Sequence, residues 1–201
     1  VVSGYKPGYL HITGIEFRNC KEGYNFTSYT GTQTAWVDFV AGIYAVPVEH
    51  LAITNCKFEN NSLGVFINSL NQEASQSRWL LLRNNYFKGN GLTGEAHVHN
   101  AYTEGVGIIY EYNYFDSPVT GTAGDNIKER SAGNIFRYNF IRNGTNLISL
   151  RDPQSNGAHE DSQLDTSGKK LSHLSFIYGN IFMVDLGHFY GMQDIVVAHG
   201  D

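Results

Sequence analysis

GDNIKERSAGNIFRYNFIRNGTNLISLRD, residues 124–152, is the stretch whose reading decides the fold. Two short strands, Ile127 to Ser131 and Leu147 to Arg151, flank the segment Phe136-Arg137-Tyr138-Asn139-Phe140-Ile141. Alternate side chains of a strand face opposite ways. With Ile127 inward, Asn126, Lys128 and Arg130 face outward together. With Ile148 and Leu150 inward, Ser149 and Arg151 do the same one strand further on.

The middle segment recurs. Ile12 to Phe17, Ile53 to Phe58, Leu82 to Phe87, Tyr110 to Phe115, Phe136 to Ile141 and Ile177 to Phe182 share one internal order. Their last positions form a column, Phe17, Phe58, Phe87, Phe115, Ile141 and Phe182, at intervals of 41, 29, 28, 26 and 41 residues. Two residues earlier stand Ile15, Cys56, Asn85, Asn113, Asn139 and Asn180. An Asn at a bend can adopt left-handed dihedrals, and stacked Asn amides can bond to one another in a ladder. A repeat that cannot bury its apolar face alone stacks on its neighbours as a solenoid. An antiparallel sandwich also uses short, regularly spaced strands, but it gives no reason for a single-residue column. The sequence predicts an all-β, right-handed, single-stranded parallel β-helix of about six coils, the hand following the usual parallel crossover. Insertions at 21–50, 71–77 and 152–170 leave the stack as loops.

Composition agrees. Gly is frequent (22), Pro rare (4), and no run keeps a helical apolar period. The 14 basic and 19 acidic residues argue against a general nucleic-acid binder, though local patches can differ from the average. Within residues 1–201 no run reads as a membrane span or a signal peptide, and a leader is expected outside them. Residues 1–201 read as one β-helix domain, an interior or processed piece of a longer chain without its end caps, with neighbouring domains or chains expected at the open coils. Cys20 and Cys56 occupy different repeat positions and are expected to be free thiols. Sequons at Asn25, Asn60 and Asn143 matter only for a secreted eukaryotic chain.

Aligned on the phenylalanine column, the preceding strands read His97-Val98-His99-Asn100, then Asn126 to Arg130, then Leu147 to Arg151. With Val98, Ile127 and Ile148 inward, His97, His99, Lys128, Arg130 and Arg151 form one outward basic cluster roughly 10 Å tall. Such a cluster suits carboxylate or sulfate groups, which Arg grips bidentately. The alternative is a solvated face neutralised by Asp125, Glu129 and Asp152. His97 and His99 could ligate a metal, and His159, Glu160, Asp161 and Asp165 could hold calcium. Trp36, Tyr44, Trp79 and Tyr102 could stack on sugar rings if exposed.

These repeats resemble right-handed parallel β-helix proteins of the pectate-lyase-like superfamily. More narrowly, residues 124–139 resemble a motif of secreted bacterial β-helix proteins of unassigned activity, which also carry an upstream His like His99. More distantly the stretch is similar to the alginate lyase and chondroitinase B family. On that comparison Arg130 stands at the position of the family's Lys base and Arg151 at that of its second catalytic Arg. Of the family's calcium-binding acids only Asp125 is present, with Ile127 where a second is expected.

Two functions follow as expectations. One is a secreted polysaccharide lyase acting on an acidic, uronate-containing polymer. Arg130 and Arg151 would neutralise the carboxylate, Lys128 would be the base, and His99 or Tyr102 the acid. His97, Tyr102, Glu104, Asp125 and Asp152 would line the substrate, with calcium as a further possible ligand. A hydrolase would need a carboxylate pair such as Glu104 with Asp125 or Asp152. The other function is a non-catalytic glycan-binding or structural module. A groove walled by the 21–50 and 152–170 loops would favour the enzyme.

Overall fold

The computed structural model describes residues 6–70, 75–152, 174–185 and 194–199. Its architecture is all-β, with parallel strands in three six-stranded sheets. The first holds β1 (Gly8–Thr13), β6 (Glu49–Thr54), β9 (Arg78–Arg83), β12 (Val106–Glu111), β15 (Ala132–Arg137) and β18 (Ser175–Tyr178). The second holds β2 (Glu16–Arg18), β7 (Lys57–Glu59), β10 (Tyr86–Lys88), β13 (Tyr114–Phe115), β16 (Phe140–Arg142) and β19 (Ile181–Met183). The third holds β5 (Ala41–Ala45), β8 (Leu63–Ile67), β11 (Ala101–Thr103), β14 (Ile127–Glu129), β17 (Asn146–Arg151) and β20 (Asp194–His199). The chain visits the sheets in that order, over and over, and each visit adds one strand beside the last. Among the described residues, no strand pair joins one of these sheets to another.

The excursion between the first two repeats contains an antiparallel hairpin, β3 (Asn25–Thr27) with β4 (Gln33–Ala35), before β5 enters the third sheet. The 152–170 loop, apart from Asp152, lies outside the described residues, as do positions 71–74 of the smaller excursion. Both cysteines are free; Cys56 is buried and its thiol donates to the Thr54 carbonyl.

The column read from the sequence is in register, Phe17 to Phe58 to Phe87 to Phe115 to Ile141 to Phe182. The rings stack nearly parallel, with centroids 5.1, 4.8 and 4.4 Å apart along Phe17, Phe58, Phe87 and Phe115. They share one core with Ile53 and Leu82 of the first sheet and Val65 and Ile127 of the third. Apolar burial from three sides is therefore what holds the stack together.

The asparagines form the ladder. Asn113 Oδ1 accepts from both the backbone N–H and the side-chain amide of Asn85, each at 3.0 Å. Asn139 does the same for Asn113, and Asn180 for Asn139. The second N–H of each amide goes to a carbonyl of the preceding unit, for example Asn113 to Leu82 at 2.8 Å. One detail differs from expectation. The left-handed backbone belongs to the residue before each ladder position: Gly14, Asn55, Asn84, Tyr112, Tyr138 and Gly179. The ladder residue itself stays out of that region, because its amide must point into the stack. A second ladder, Asn61 to Asn90 to Asn100 to Asn126, turns the next corner. It takes Asn126, read as outward, into full burial.

Candidate functional site

The outer face of the third sheet carries the site. Its register aligns Tyr44, Phe66, Tyr102, Lys128 and Ser149 in one row. Parity explains the row. Ile43, Val65, Ala101, Ile127 and Ile148 fill the core on one side of it, and Ala45, Ile67, Thr103, Glu129 and Leu150 on the other. The residue between must face out. Tyr44 stacks on Phe66 at 4.9 Å and Phe66 on Tyr102 at 5.0 Å. Lys128 Nζ continues the row 5.8 Å from the Tyr102 centroid, a cation–π contact. Because these rings take each other's faces, a ligand meets mostly their edges and phenol tips.

Tyr44, Phe66, Tyr102 and Lys128 of this row are the floor of a groove with a volume of about 710 Å³, while Ser149 is buried beneath its basic end. Asp38 and Phe39, from the turn leading into β5, form one wall with His97. Phe39 meets His97 edge to face at 6.4 Å, and the His97 ring bonds Glu95 Oε1 at 2.7 Å. That bond holds the Glu95 carboxyl below its usual range. Arg130 and Arg151 close the basic end beside Lys128. Arg130 is buried and donates to the Asp152 carbonyl, while Arg151 Nε donates to Ser149 Oγ at 2.8 Å. The expected outward set thus converges in part: His97, Lys128, Arg130 and Arg151 line one groove, together with Tyr102.

His99 does not. It is fully buried, its Nδ1–H donating to the Asp125 carbonyl at 3.2 Å, and its Nε2 finds no hydrogen-bond partner among the described residues. Burial, then the charge of Lys128, pushes its pKa down to about 3. The expected register slipped here. The strand is Ala101–Thr103, and His97 to Asn100 is its lead-in. This lead-in packs so closely that a Cβ on Gly124 would stand 1.9 Å from the Val98 carbonyl oxygen, and one on Gly64 2.3 Å from that of Asn100. Only glycine permits that approach.

Three expected ligand contacts also move. Glu104 is buried away from the groove lining, and its carbonyl accepts from Ser69 Oγ at 3.1 Å. Asp152 is exposed and offers Arg130 its carbonyl. Asp125 is buried and accepts from Asn146 Nδ2 at 2.5 Å. Burial raises its pKa against the opposing pull of that bond and of Lys128 and Arg151.

Calcium does not fit at Asp125. An amide N–H already points at its carboxylate, two cations stand beside it, and Ile127 lies wholly in the core. His97 is solvent-facing while His99 is interior, so the pair does not converge on a metal. No cluster of three or more His, Cys, Asp or Glu suited to a metal occurs among the described residues. Residues 159–165 lie outside them.

Sequence reasoning offered Glu129 only as an ion-pair partner on a solvated face, although parity alone puts it inward with Ile127. It is completely buried and accepts from Thr103 Oγ1 and the Ser131 N–H, both at 2.5 Å, while Tyr110 Oη meets Thr103 Oγ1 at 2.5 Å. Burial pushes its pKa up to about 7, against those bonds. Phe66, Asp38 and Phe39 were passed over. Only Phe66 had a signal, its equivalence with Tyr44 in the repeat.

No helix among the described residues is long and apolar enough to cross a membrane. Comparisons with protein-family models, with curated proteins and with solved structures return no match.

Proposed function

We propose that the three stacked sheets wind as a right-handed parallel β-helix of the pectate-lyase-like kind, and that the groove binds a uronate-containing polysaccharide and cleaves it by β-elimination. One observation carries this reading: an uncharged aromatic floor runs directly into Lys128, Arg130 and Arg151 within a single groove. Elimination needs the carboxylate neutralised, the α-proton removed and the leaving oxygen protonated. Arg130 and Arg151 neutralise the carboxylate, Lys128 in its neutral amine form takes the α-proton and becomes ammonium, and Tyr102 gives its phenol proton to the leaving oxygen. His99, walled off in the core, drops out of the acid role.

Incubation with a panel of polyuronates is expected to generate unsaturated, ultraviolet-absorbing ends. Lys128→Ala is expected to lower kcat by about 10²-fold or more with little change in KM, as removal of a general base does. Equal losses in both would reduce Lys128 to a charge contact. Arg151→Ala is expected to weaken binding about 10- to 100-fold, the range for losing a hydrogen bond to a charged group. High salt is expected to weaken binding of the wild type too. Arg130 is less clean as a probe, since its burial ties it to stability.

A second reading, a non-catalytic glycan-binding or structural module, draws on Asp125. Its carboxylate sits behind Lys128 and Arg151 and offsets part of their charge. Binding that depends on Arg151 without any unsaturated product would select it. Both readings imply export from the cell, which a full-length chain lacking any export signal would contradict.

A further inference from the structure

Taking the groove as the site of an acidic polysaccharide, we infer that the polymer is mixed: a uronate flanked by neutral sugars, not an unbroken run of uronates. The groove is electrically lopsided. Among the described residues, its lysine and arginine lining is confined to Lys128, Arg130 and Arg151, on or beside β14 and β17. Those are neighbouring strands, so the basic end covers about 5 Å along the stack, room for about one acidic sugar.

Among the described residues, the other end has no such cation. Tyr44 and Phe66 form its floor, and the side-chain charge on its wall is negative, from Asp38. His97, further along, is already bonded to Glu95. A carboxylate seated over Tyr44 and Phe66 would lose water, gain no cation and stand near Asp38. Desolvating a charge without a partner is costly, whereas a hydroxylated neutral ring gives up far less. Repulsion by a like charge then adds discrimination against the wrong ligand. The ring edges over which the sugar lies are the electropositive rims of the aromatics, suited to hydroxyl oxygens.

The test uses defined tetrasaccharides and the wild-type chain: a homo-oligouronate, and a positional set carrying one glucuronate among three neutral hexoses. Dissociation constants are measured by calorimetry at low salt. At least one single-acid isomer is expected to bind about tenfold or more tighter than the homo-oligouronate. Asp38→Asn is expected to tighten the homo-oligouronate severalfold more than the single-acid isomer, so the gap narrows. If the homo-oligouronate binds as tightly as every single-acid isomer, or Asp38→Asn shifts both alike, the inference is overturned while the acidic-polysaccharide reading stands. If no tetrasaccharide binds and Arg151→Ala changes nothing, both fall.

Discussion

Stability is expected to hold nearly level between about pH 6.5 and 4.5 and to fall steeply below that, with His99→Asn removing most of the fall. Two fully buried groups set this profile. His99 has a pKa of about 3 in the fold against an ordinary 6.5. Between those values the unfolded chain binds the extra proton, so acid favours unfolding, by ~5 kcal/mol when pH reaches 3. Glu129 works in the opposite sense, at about 7 in the fold against 4.5. Between those values the folded chain holds the extra proton, so stability rises as pH falls, by ~3 kcal/mol in all. From pH 6.5 to 4.5 the slopes cancel. Below 4.5 Glu129 no longer opposes His99; Glu111, held low by Arg137 and Arg83 against its desolvation, and Glu95, held low by His97, add to the fall, while Asp125, raised by burial, works against it.

Urea titrations at pH 8, 5.5 and 3.5 check this. Glu129→Gln is expected to be more stable than wild type at pH 8 and to lose stability between pH 6.5 and 4.5, where wild type does not. His99→Asn is expected to gain stability over the same interval and to survive at pH 3.5. Parallel profiles for all three proteins would mean that neither buried group governs the acid response.

The same pair marks where the sequence could be read and where it could not. The phenylalanine column and the first asparagine ladder were legible because identical residues recur at nearly fixed intervals, and only stacking gives such residues one role. Lys128, Arg130 and Arg151 were legible as neighbours on one face because parity about Ile127 and Ile148 is simple. His99 was misread because Val98, although buried as expected, belongs to the lead-in of Ala101–Thr103, where strand alternation does not apply and the next side chain turns inward too. The true strand, Ala101–Thr103, looks weaker, since its inward residues are small or polar. They are so because Tyr110 and Glu129 reach in from neighbouring strands to bond Thr103. A rule that equates inward with apolar fails wherever the interior holds a polar network. The second ladder had a readable signal. Asn61 and Asn90 each follow the Cys56 and Asn85 positions by 5 residues. It then breaks the pattern, because Pro118 stands at the next such place and Asn100 and Asn126 supply the amides from another part of the repeat.

Phe87→Ala is expected to cost about 3–5 kcal/mol, the range for emptying a large aromatic site in a packed core. Phe87 has no exposed surface, and its ring lies between Phe58 at 4.8 Å and Phe115 at 4.4 Å. Removing it strips a face from two further rings and leaves a void that the backbone cannot close. Collapse would have to break ladder bonds on both sides, including Asn85 to Asn113. Phe87→Leu is expected to cost much less, because Ile141 already fills the equivalent place two units along with a branched aliphatic. Phe176 supplies the contrast. It is also a strand phenylalanine, in β18, but parity turns it outward and leaves it 52% exposed. Phe176→Ala is expected to change stability by no more than about 0.5 kcal/mol, as surface replacements usually do. Urea unfolding of the three variants, read from midpoints at unchanged slope, decides the matter. A cost for Phe87→Ala no larger than that for Phe176→Ala would mean that the column is not the core of the stack, and the register on which the groove depends would fall with it.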